Sequence, residues 1–577
     1  MATLAHPRFH ARVLARGPAR TTRATSRRLA PPRASADDAI GATARATAAD
    51  ASPFALNCPH FDACPGCTMS ENVHEPPTLS RARAFFADRG LPDFAARTGA
   101  VRGWRCRAKL AARSLPKPNG KPGAGPLALG LFARGTHDLV QIPECVVHHP
   151  SINRAAAAVV EAANRLGVKA YDETTGKGQL RYVQLTAVAS SDDVGRADLD
   201  PDAAVQIALV WNAPAPPESI WDAGGDSGEL GDENGDGDGD GDENGNGNSG
   251  DSGDGDVDVD GPVPVPVPVP ADARALAESL ARDSPPGLVH SVWINFNDAA
   301  DNAIVGPGWA HVVGPRWHWS AHGAARVCYV PGSFMQSNVG AYDALLASLR
   351  DAVPPGSAVS ELYAGAGAIG LSIAASDASV KSVRCVESVA AAAETFAASS
   401  SALPDAARAA ATFVVARAED AARDAVRDAD VIIVDPPRKG LDARTLAALT
   451  GAASDATGGR RRGASDPRAG MQGHAGGGRK KRNRRRRRAA KGGGEDASAD
   501  TDARVVEAVP PPPTRLGTLV YVSCGFASFE RDAEALLDSG EWTLERAEGF
   551  NFFPGGDALE VLAVFRRTRD EVEVPVG

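Results

Sequence analysis

The stretch "ELYAGAGAIGLSIA", residues 361–374, decides the fold of the C-terminal half of this 577-residue chain. It places Gly365, Gly367 and Gly370 between an apolar run and an Ala-rich run, where a strand is expected to turn into a helix. Glycine at such a turn lets the backbone approach a ligand and leaves the helix N-terminus open. Glu387 closes the next apolar run about twenty residues later, where an acid can accept hydrogen bonds from ribose hydroxyls. The turn therefore indicates a nucleotide-like ligand, and an ordinary helix N-terminal acid is the alternative for Glu387.

Apolar segments alternate with Ala-rich segments from about Ser357 onward, and this rhythm predicts a parallel, doubly wound sheet. The five predicted strands are "AVSELYA", "SVRCVE", "ATFVVA", "DVIIVDPP" and "GTLVYVSC". Three upstream segments alternate as half-exposed strands do and predict a β-rich central region. They are "LRYVQLTAVA", "VQIALVWN" and "LVHSVWINFN".

Two segments of biased composition interrupt these regions. Residues 222–270 are rich in Asp, Gly and Asn and end in a Val-Pro repeat, a composition that cannot bury enough apolar surface to fold. Residues 454–513 contain "GRKKRNRRRRRAAKGG" and a proline run, and they fall between the fourth and fifth predicted strands. We predict two disordered inserts. The basic one has the charge of a nucleic-acid-binding loop, with a plain flexible loop or a localisation signal as alternatives.

The first 36 residues contain eight arginines and no acid, which is typical of an organelle transit peptide and not of a secretory signal. A disordered basic tail is the alternative. We expect a chloroplast protein, with the mitochondrion as the second possibility. No apolar run approaches eighteen residues, so we expect no membrane span, and we expect a monomer.

Eight cysteines are too few for a disulfide scaffold in a chain of this length. Cys58, Cys64 and Cys67 have the spacing C-x5-C-x2-C, and Cys145 is a distant fourth. Four soft thiolates suit a [4Fe-4S] cluster or zinc, and the spacing does not separate the two. Three further cysteines lack such a context and are predicted to lie in the core: Cys106, Cys328 and Cys385.

A thiol and an acid follow the last two predicted strands of the parallel sheet. "LVYVSCGFASFERD", residues 519–532, sets Cys524 at the carboxyl end of a strand, where open α/β sheets bind ligands. "VIIVDPPRKG", residues 431–440, ends a strand with Asp435 and two prolines that keep the backbone extended. A small buried hydrophobe is the alternative for Cys524, and a plain loop is the alternative for the Asp-Pro-Pro segment.

Seven motifs in order along the chain resemble one family, the S-adenosylmethionine-dependent RNA uracil-C5 methyltransferases, in the branch that acts on large-subunit ribosomal RNA and carries an iron-sulfur cluster. They are "CPHFDACPGC", "ECVVHHPSIN", "FMQSNVGAY", "ELYAGAGAIG", "VDPPRKGL", "YVSCGFASFERD" and "FFPGGDALEVLAVF". The resemblance covers roughly Cys58 to Arg567, apart from the two inserts. It implies methylation of a uridine in structured RNA, with ribosomal RNA first and transfer RNA as the alternative substrate.

The resemblance also implies roles for single residues. The residues that fall where the family binds S-adenosylmethionine are Gln336, Tyr363, Glu387 and Asp435. Cys524 falls on the nucleophile, and Glu560 falls on the general base, for which a surface acid on a strand is the alternative. The resemblance favours a [4Fe-4S] cluster over zinc at the four cysteines. Phe334 and Asn338 are further candidates for contacting a base or the cofactor, with a helix cap as the alternative.

The chain departs from the family in three places, and these departures motivate a second hypothesis. Ala558 replaces the usual histidine two residues before the base, Gly555-Gly556 replaces Gln-Thr, and Ala368 replaces an asparagine in the glycine turn. The second hypothesis is an RNA-binding or RNA-folding factor that keeps the scaffold without turnover.

Together these observations predict an α/β protein, with a doubly wound Rossmann-like methyltransferase domain preceded by a β-rich domain and a four-cysteine metal-cluster site. The predicted boundaries are a transit peptide at 1–36, a Cys-cluster region at 37–150, a β-rich central domain at 151–333 with insert 222–270, and a methyltransferase domain at 334–577 with insert 454–513.

Overall fold

The computed structural model describes residues 52–117, 125–190, 195–219, 267–301, 303–451 and 515–568. The predicted transit peptide lies outside these ranges, as do the basic insert and all but the last four residues of the acidic insert. No helix in the described ranges is long and apolar enough to cross a membrane.

The strands of the described ranges are, in chain order, β1 (Ala96–Thr98), β2 (Arg107–Ser114), β3 (Leu127–Phe132), β4 (Leu139–Gln141), β5 (Leu180–Val188), β6 (Ala204–Trp211), β7 (Val289–Phe296), β8 (Gly308–Val313), β9 (His318–His322), β10 (Ala325–Tyr329), β11 (Ala358–Leu362), β12 (Ser382–Glu387), β13 (Ala411–Val415), β14 (Val431–Val434), β15 (Thr518–Ser523), β16 (Trp542–Asn551) and β17 (Glu560–Arg567).

The α-helices of the same ranges are α1 (Pro77–Ala87), α2 (Pro150–Leu166), α3 (Ala271–Asp283), α4 (Val339–Arg350), α5 (Ala368–Ser376), α6 (Ala392–Ser401), α7 (Asp405–Ala410), α8 (Ala418–Asp428), α9 (Ala443–Leu449) and α10 (Phe526–Asp538).

The C-terminal sheet has eight strands in the order β1-β16-β17-β15-β14-β11-β12-β13. The five predicted strands are β11 to β15, and they are parallel to one another as predicted. β17 then runs antiparallel to β15, and β16 antiparallel to β17. The short β1 joins the far edge parallel to β16, so a segment near residue 96 completes a sheet whose other strands all lie beyond residue 357.

A second sheet has seven strands in the order β4-β3-β2-β5-β6-β7-β8. The three predicted central strands are β5, β6 and β7, and they are neighbours in this sheet, which confirms a single β-rich region. β6 and β7 are parallel and flank the acidic insert in sequence. β2, β3 and β4 precede residue 150 and share the sheet with the strands that follow it.

The two central strands β14 and β15 of the parallel sheet are rich in apolar residues because both faces of the sheet are covered there. Every residue of β14 and of β15 is buried. The three cysteines predicted to lie in the core, Cys106, Cys328 and Cys385, are fully buried, which confirms that prediction.

Gly370, in the first turn of α5, lies where this helix packs tightly against the sheet. A Cβ atom at this position would lie 2.6 Å from Glu361 Oε2 and 2.9 Å from Val383 Cγ1, and closer still to the sulfur of Cys385. These three groups are buried strand side chains and have little room to move. The third glycine of the turn is therefore required by helix–sheet packing.

We predict that Gly370→Ala lowers the free energy of unfolding by about 1–3 kcal/mol, because the added methyl group overpacks the contact between α5 and β12. Gly517→Ala is the matched control, since a Cβ there has no atom within 4 Å and its φ is ordinary; it should change stability by less than about 1 kcal/mol. Denaturant unfolding of both variants checks this. Equal effects would contradict the packing argument.

Candidate active site

The carboxyl ends of β11, β12, β14 and β15 meet at one edge of the parallel sheet. The chain leaves β11 toward β12 on one side, while β14 lies on its other side, so the strand order reverses between β11 and β14. Open α/β sheets bind ligands at such a reversal, outside the carboxyl ends of the strands. Tyr363, Asp435 and Cys524 directly follow three of these strands, and Glu387 closes the fourth.

Glu387 ties the glycine turn to the segment that follows β12. Its Oε2 accepts the backbone N–H of Gly365 at 2.8 Å, and its Oε1 accepts the N–H of Val389 at 2.9 Å. Glu387 is the last residue of β12, and α6 begins only at Ala392. The alternative of a helix N-terminal acid is therefore wrong. A carboxylate has about four lone-pair sites, so further acceptor sites remain for ligand hydroxyls.

Tyr363 has an unusual backbone conformation directly after β11. Its φ is 63°, in the left-handed region that residues other than glycine seldom adopt. Its hydroxyl donates to Asp442 Oδ2 at 2.8 Å, and Asp442 in turn caps α9 by accepting the N–H groups of Arg444 and Thr445. Such outliers persist where surrounding contacts hold them, and they cluster at ligand sites. The half-buried Tyr363 therefore lies in a turn that its hydrogen bond to Asp442 stabilises, beside the predicted cofactor position.

The register of β15 against β17 brings Cys524 and Glu560 together. The last pair in the antiparallel ladder is Ser523 with Val561, so the next residues on the two strands are Cys524 and Glu560. Residues opposed in this way project from the same face, with Cβ atoms about 5 Å apart. Glu560 is 4% exposed, so the alternative of a surface acid is wrong. Cys524 is partly exposed and is not a fully buried hydrophobe.

The electrostatic surroundings of Cys524 favour the protonated thiol. Burial raises its pKa to about 12, and the negative charges of Glu560 and Asp435 add to the effect, whereas the Arg438 guanidinium opposes it. Burial also raises the pKa of the Asp435 carboxyl to about 7, although the residue as a whole is partly exposed. Two acids and one cation therefore control how readily this thiol becomes a thiolate.

The loop after β14 is held against the loop after β15. The Ser528 hydroxyl donates to the backbone carbonyl of Arg438 at 2.6 Å, and a Cβ on Gly525 would lie 2.6 Å from the same oxygen. Arg438 therefore has its backbone anchored beside Cys524 while its side chain is exposed. Arg438 follows the two prolines in sequence, and its effect on the thiol depends on this non-local contact, which local sequence does not show.

A second feature that the sequence reasoning missed is Glu361, a fully buried acid in β11. It accepts the N–H of Gly370 at 2.8 Å and the S–H of Cys385 at 3.2 Å. Burial raises the pKa of Glu361 to about 8. An acid near the carboxyl end of a strand with apolar residues on either side was the available signal in the sequence.

The segment between β10 and α4 carries the remaining cofactor candidates. Gln336 is half-buried there, and Phe334 is 56% exposed. Asn338 is buried and caps α4, since its side chain accepts the N–H of Ala341 at 3.0 Å and donates to the Phe552 carbonyl at 2.9 Å. The helix-cap alternative is therefore correct for Asn338, whereas Gln336 and Phe334 stay candidates.

The four predicted metal ligands line one cavity of about 60 Å³, together with His60 and Arg105. Burial raises the pKa of Cys67 to about 12, and the charges of Cys145, Cys64 and Cys58 raise it further. The thiols are thus close enough to affect one another. In the part of the chain that the structure describes, no group of three or more His, Cys, Asp or Glu side chains is arranged to hold a single metal ion.

Comparison with known proteins identifies relatives, one of which matches most of the chain. No protein-family model matches it. An uncharacterized RNA methyltransferase of Protochlamydia amoebophila (strain UWE25) is 27% identical over 516 residues, which cover 89% of this chain and 98% of the relative. An uncharacterized RNA methyltransferase of Geobacter sulfurreducens is 40% identical over 55 residues, which are 10% of this chain and 11% of the relative.

Among solved structures, the crystal structure of Pyrococcus abyssi tRNA (uracil-54, C5)-methyltransferase in complex with S-adenosyl-L-homocysteine has a similar fold. The TM-score is 0.51 at 16% identity, and the match covers 90% of this chain and 87% of the other. The eight-stranded sheet therefore has a Rossmann-like fold like that of this methyltransferase, as predicted, and the chain also contains a β-rich N-terminal sheet.

We predict that Cys524 reacts slowly with iodoacetamide and that its rate rises roughly tenfold per pH unit from pH 7 to pH 10. The reason is that a thiol with a pKa of about 12 has little thiolate in this range, whereas an ordinary thiol levels off near pH 9. Glu560→Gln should speed the reaction because it removes a negative charge, and Arg438→Gln should slow it because it removes a positive one. Mass spectrometry of the Cys524 peptide measures the alkylation rate in wild type and in each of the two variants. Opposite directions would contradict the electrostatic account.

Proposed function

We propose that this protein transfers a methyl group from S-adenosylmethionine to C5 of a uridine in structured RNA, through a covalent bond between Cys524 and C6. The similarity over 516 residues to an RNA methyltransferase assigns the chain to RNA methylation. The single observation that carries the finer proposal is the opposition of Cys524 and Glu560 at the carboxyl edge of a methyltransferase sheet. We further propose organellar ribosomal RNA as the substrate, with transfer RNA as the second candidate.

The first chemical step needs a nucleophile, because C5 of a uracil does not react with a methyl donor until electron density is pushed onto it. The Cys524 thiolate adds to C6, and the electrons of the C5–C6 double bond become an enolate. Arg438 favours the thiolate over the thiol, whose proton goes to solvent. C5 of the enolate would then take the methyl group, while the bond from that methyl to the donor's sulfonium sulfur breaks and S-adenosylhomocysteine leaves with the electron pair.

The second step needs a base, since C5 now carries both the methyl group and a proton. Glu560 accepts that proton, the C5–C6 double bond forms again, and the bond between sulfur and C6 breaks. Glu560 later returns the proton to solvent. A base directly across the ladder from the nucleophile can reach the carbon next to the one that sulfur attacks, which is the geometry this step requires.

The methyl donor, when bound, supplies an electrophilic methyl group. The residues that would hold it are Glu387 for the ribose hydroxyls, Tyr363 and Asp435 at the strand reversal, and Gln336 from the segment before α4. They fit this role because the reversal lies between β11 and β14, and because Glu387 already orders the glycine turn through Gly365. Val389, which is 39% exposed beside Glu387, offers an apolar surface for an adenine ring.

We propose a [4Fe-4S] cluster at Cys58, Cys64, Cys67 and Cys145, with a role in holding the structure or in positioning the RNA. The support is that thiols from two distant parts of the chain line one cavity. The methylation described above needs no electron transfer. The N-terminal composition supports a plastid location, with the mitochondrion as the alternative.

The competing hypothesis is a factor that binds or folds RNA without turnover, and Ala558, Gly556 and Ala368 motivate it. Incubating the protein with labelled S-adenosylmethionine and total organelle RNA separates the two. We expect labelled 5-methyluridine. If wild-type protein makes none, the proposal that it is an enzyme is wrong.

We predict different outcomes for the two members of the candidate pair. Cys524→Ala should abolish methylation and keep affinity for S-adenosylmethionine within about twofold, because the sulfur contacts the base and not the cofactor. Glu560→Gln should methylate once and stall, because the C5 proton cannot leave, so a covalent RNA adduct should survive denaturing electrophoresis. If Cys524→Ala still makes 5-methyluridine, the mechanism is wrong. If Glu560→Gln turns over without an adduct, the base lies elsewhere.

We predict that anaerobically purified protein is brown and contains about four irons per chain, the content of a [4Fe-4S] cluster. Cys145→Ser should bleach it, because one of the four thiolates is lost. The core cysteine variant Cys328→Ser is the matched control and should stay brown, since Cys328 lies outside the cavity. Iron analysis and the visible spectrum measure this. Stoichiometric zinc without iron would overturn the assignment.

A further inference from the structure

The segment that carries the candidate base is held by residues from the other end of the chain. Residues 552–559, here called the base loop, join β16 to β17 and lead directly to Glu560. The last residue before the loop, Asn551, is buried, and its side-chain amide donates to the Val73 carbonyl at 2.7 Å. Inside the loop, the Phe552 carbonyl accepts the side-chain amide of Asn338 at 2.9 Å.

Gly555 in the base loop contacts the segment that follows the cysteine motif. Its carbonyl accepts the N–H groups of Thr68 and Met69 at 2.7 and 2.9 Å. Its φ is 102°, and a Cβ there would lie 2.8 Å from Leu56 Cδ1 and 3.3 Å from Cys67 Sγ. Only glycine combines this conformation with so close an approach. The glycine at position 555, where the family has Gln, therefore matches a close backbone contact in this chain.

Asp557 in the base loop caps a helix that lies 479 residues away in sequence. α1 has a proline at its N-cap, no side-chain cap of its own and no acid in its first turn. Asp557 Oδ1 accepts the backbone N–H of Thr78 at 2.8 Å, and the Asp557 carbonyl accepts the Thr78 hydroxyl at 2.9 Å. The carboxylate therefore satisfies a helix N–H group that would otherwise need water or a local side chain.

The same helix packs against the element that follows the nucleophile. The ring of Phe85 lies edge-on to Phe526, the first residue of α10, with 5.9 Å between the ring centroids. Arg81 Nε donates to Glu530 Oε1 at 3.1 Å. One helix thus contacts both the helix after Cys524 and the loop before Glu560.

We propose that residues 68–87 act as a positioning element that sets Glu560 against Cys524, and that Asp557 and Gly555 are the positioning residues through which it acts. This inference rests on the proposed function. Neither residue needs to touch the RNA. Their role is to hold the base where the C5 proton will be, and a displacement of about 1 Å can cost about 100-fold in such a step.

Asp557→Ala should slow release of the covalent RNA adduct, as Glu560→Gln does but to a smaller extent. It loosens the base loop and leaves the candidate base Glu560 in place. We expect the covalent RNA adduct to persist at least about tenfold longer than in wild type, with affinity for S-adenosylmethionine unchanged. Asp557→Asn keeps an acceptor oxygen for Thr78 and should restore most of the wild-type behaviour. Glu75→Ala is the matched control. It removes the exposed ion pair with Arg83 from the same segment and leaves the contacts of Thr78 with the base loop in place.

RNA that contains 5-fluorouridine separates the two chemical steps. Fluorine at C5 cannot be removed as a proton is, so every variant stops at the adduct, and the rate of adduct formation reports only thiol attack and methyl transfer. Asp557→Ala should match wild type on this RNA within about twofold. On ordinary RNA it should accumulate adduct that wild type does not. An effect on folding alone would slow both reactions together.

A second pair of variants tests the other contact. Gly555→Ala should also lengthen the adduct lifetime, because its Cβ would push the loop away from Leu56 and Cys67. Gly517→Ala is the control, since a Cβ there has no atom within 4 Å and its φ is not positive, so it should behave as wild type within about twofold. Thermal unfolding of all variants shows whether the chain still folds.

The outcomes separate this inference from the proposed function. If wild-type protein makes neither 5-methyluridine nor an adduct, the proposed function fails, and the inference fails with it. If wild type methylates RNA but Asp557→Ala and Gly555→Ala release the adduct at the wild-type rate, only the inference is overturned. It is also overturned if Asp557→Ala slows adduct formation on 5-fluorouridine RNA as much as it slows release.

Discussion

The antiparallel pairing of β17 with β15 is the constraint on which the candidate active site depends. Cys524 follows β15 at the carboxyl edge of the parallel strands. Because β17 runs antiparallel to β15, β17 begins at that same edge, and its first residue, Glu560, lies beside the thiol. A slip of one residue would turn Glu560 to the opposite face of the sheet. Because β17 is buried between β15 and β16, its packing holds the register and, with it, the spacing of the two groups.

Burial, more than ion pairing, sets the charge at this edge. Desolvation alone raises the pKa of Asp435 to about 7, so near neutral pH its carboxyl gains or loses a proton with small changes in conditions. Each proton that Asp435 gains removes a negative charge near Cys524 and lowers the pKa of that thiol, as Arg438 does by its own charge. A thiol in this setting is mostly protonated, and positive charge near it increases the fraction of reactive thiolate.

The parts of the fold that could be predicted from the sequence are those set by local pattern. All five parallel strands and the three central β-rich strands follow from apolar periodicity, and the glycine turn follows from backbone chemistry. The missed parts are non-local. The pairing of β1 with β16 joins residues about 450 positions apart, and the contact of Ser528 with the Arg438 carbonyl joins two loops 90 positions apart. Periodicity carries no information about such partners, and the burial of Glu560 depends on strands that pair only in the folded chain.

Segments near the two ends of the described chain meet beside the candidate active site. Their contacts explain why a strand near residue 96 pairs with a hairpin beyond residue 541. Thr78 and the N-terminal strand β1 both contact the β16–β17 hairpin, so the region that follows the cysteine motif forms part of the eight-stranded sheet and its loops. The loop before a general base has to be both irregular, to turn the chain, and rigid, to aim a carboxylate. Irregular backbone becomes rigid when its polar groups are satisfied by fixed partners. The base loop obtains those partners at Gly555 and Asp557 from the N-terminal segment, and so the geometry of the last strand depends on residues near the beginning of the chain.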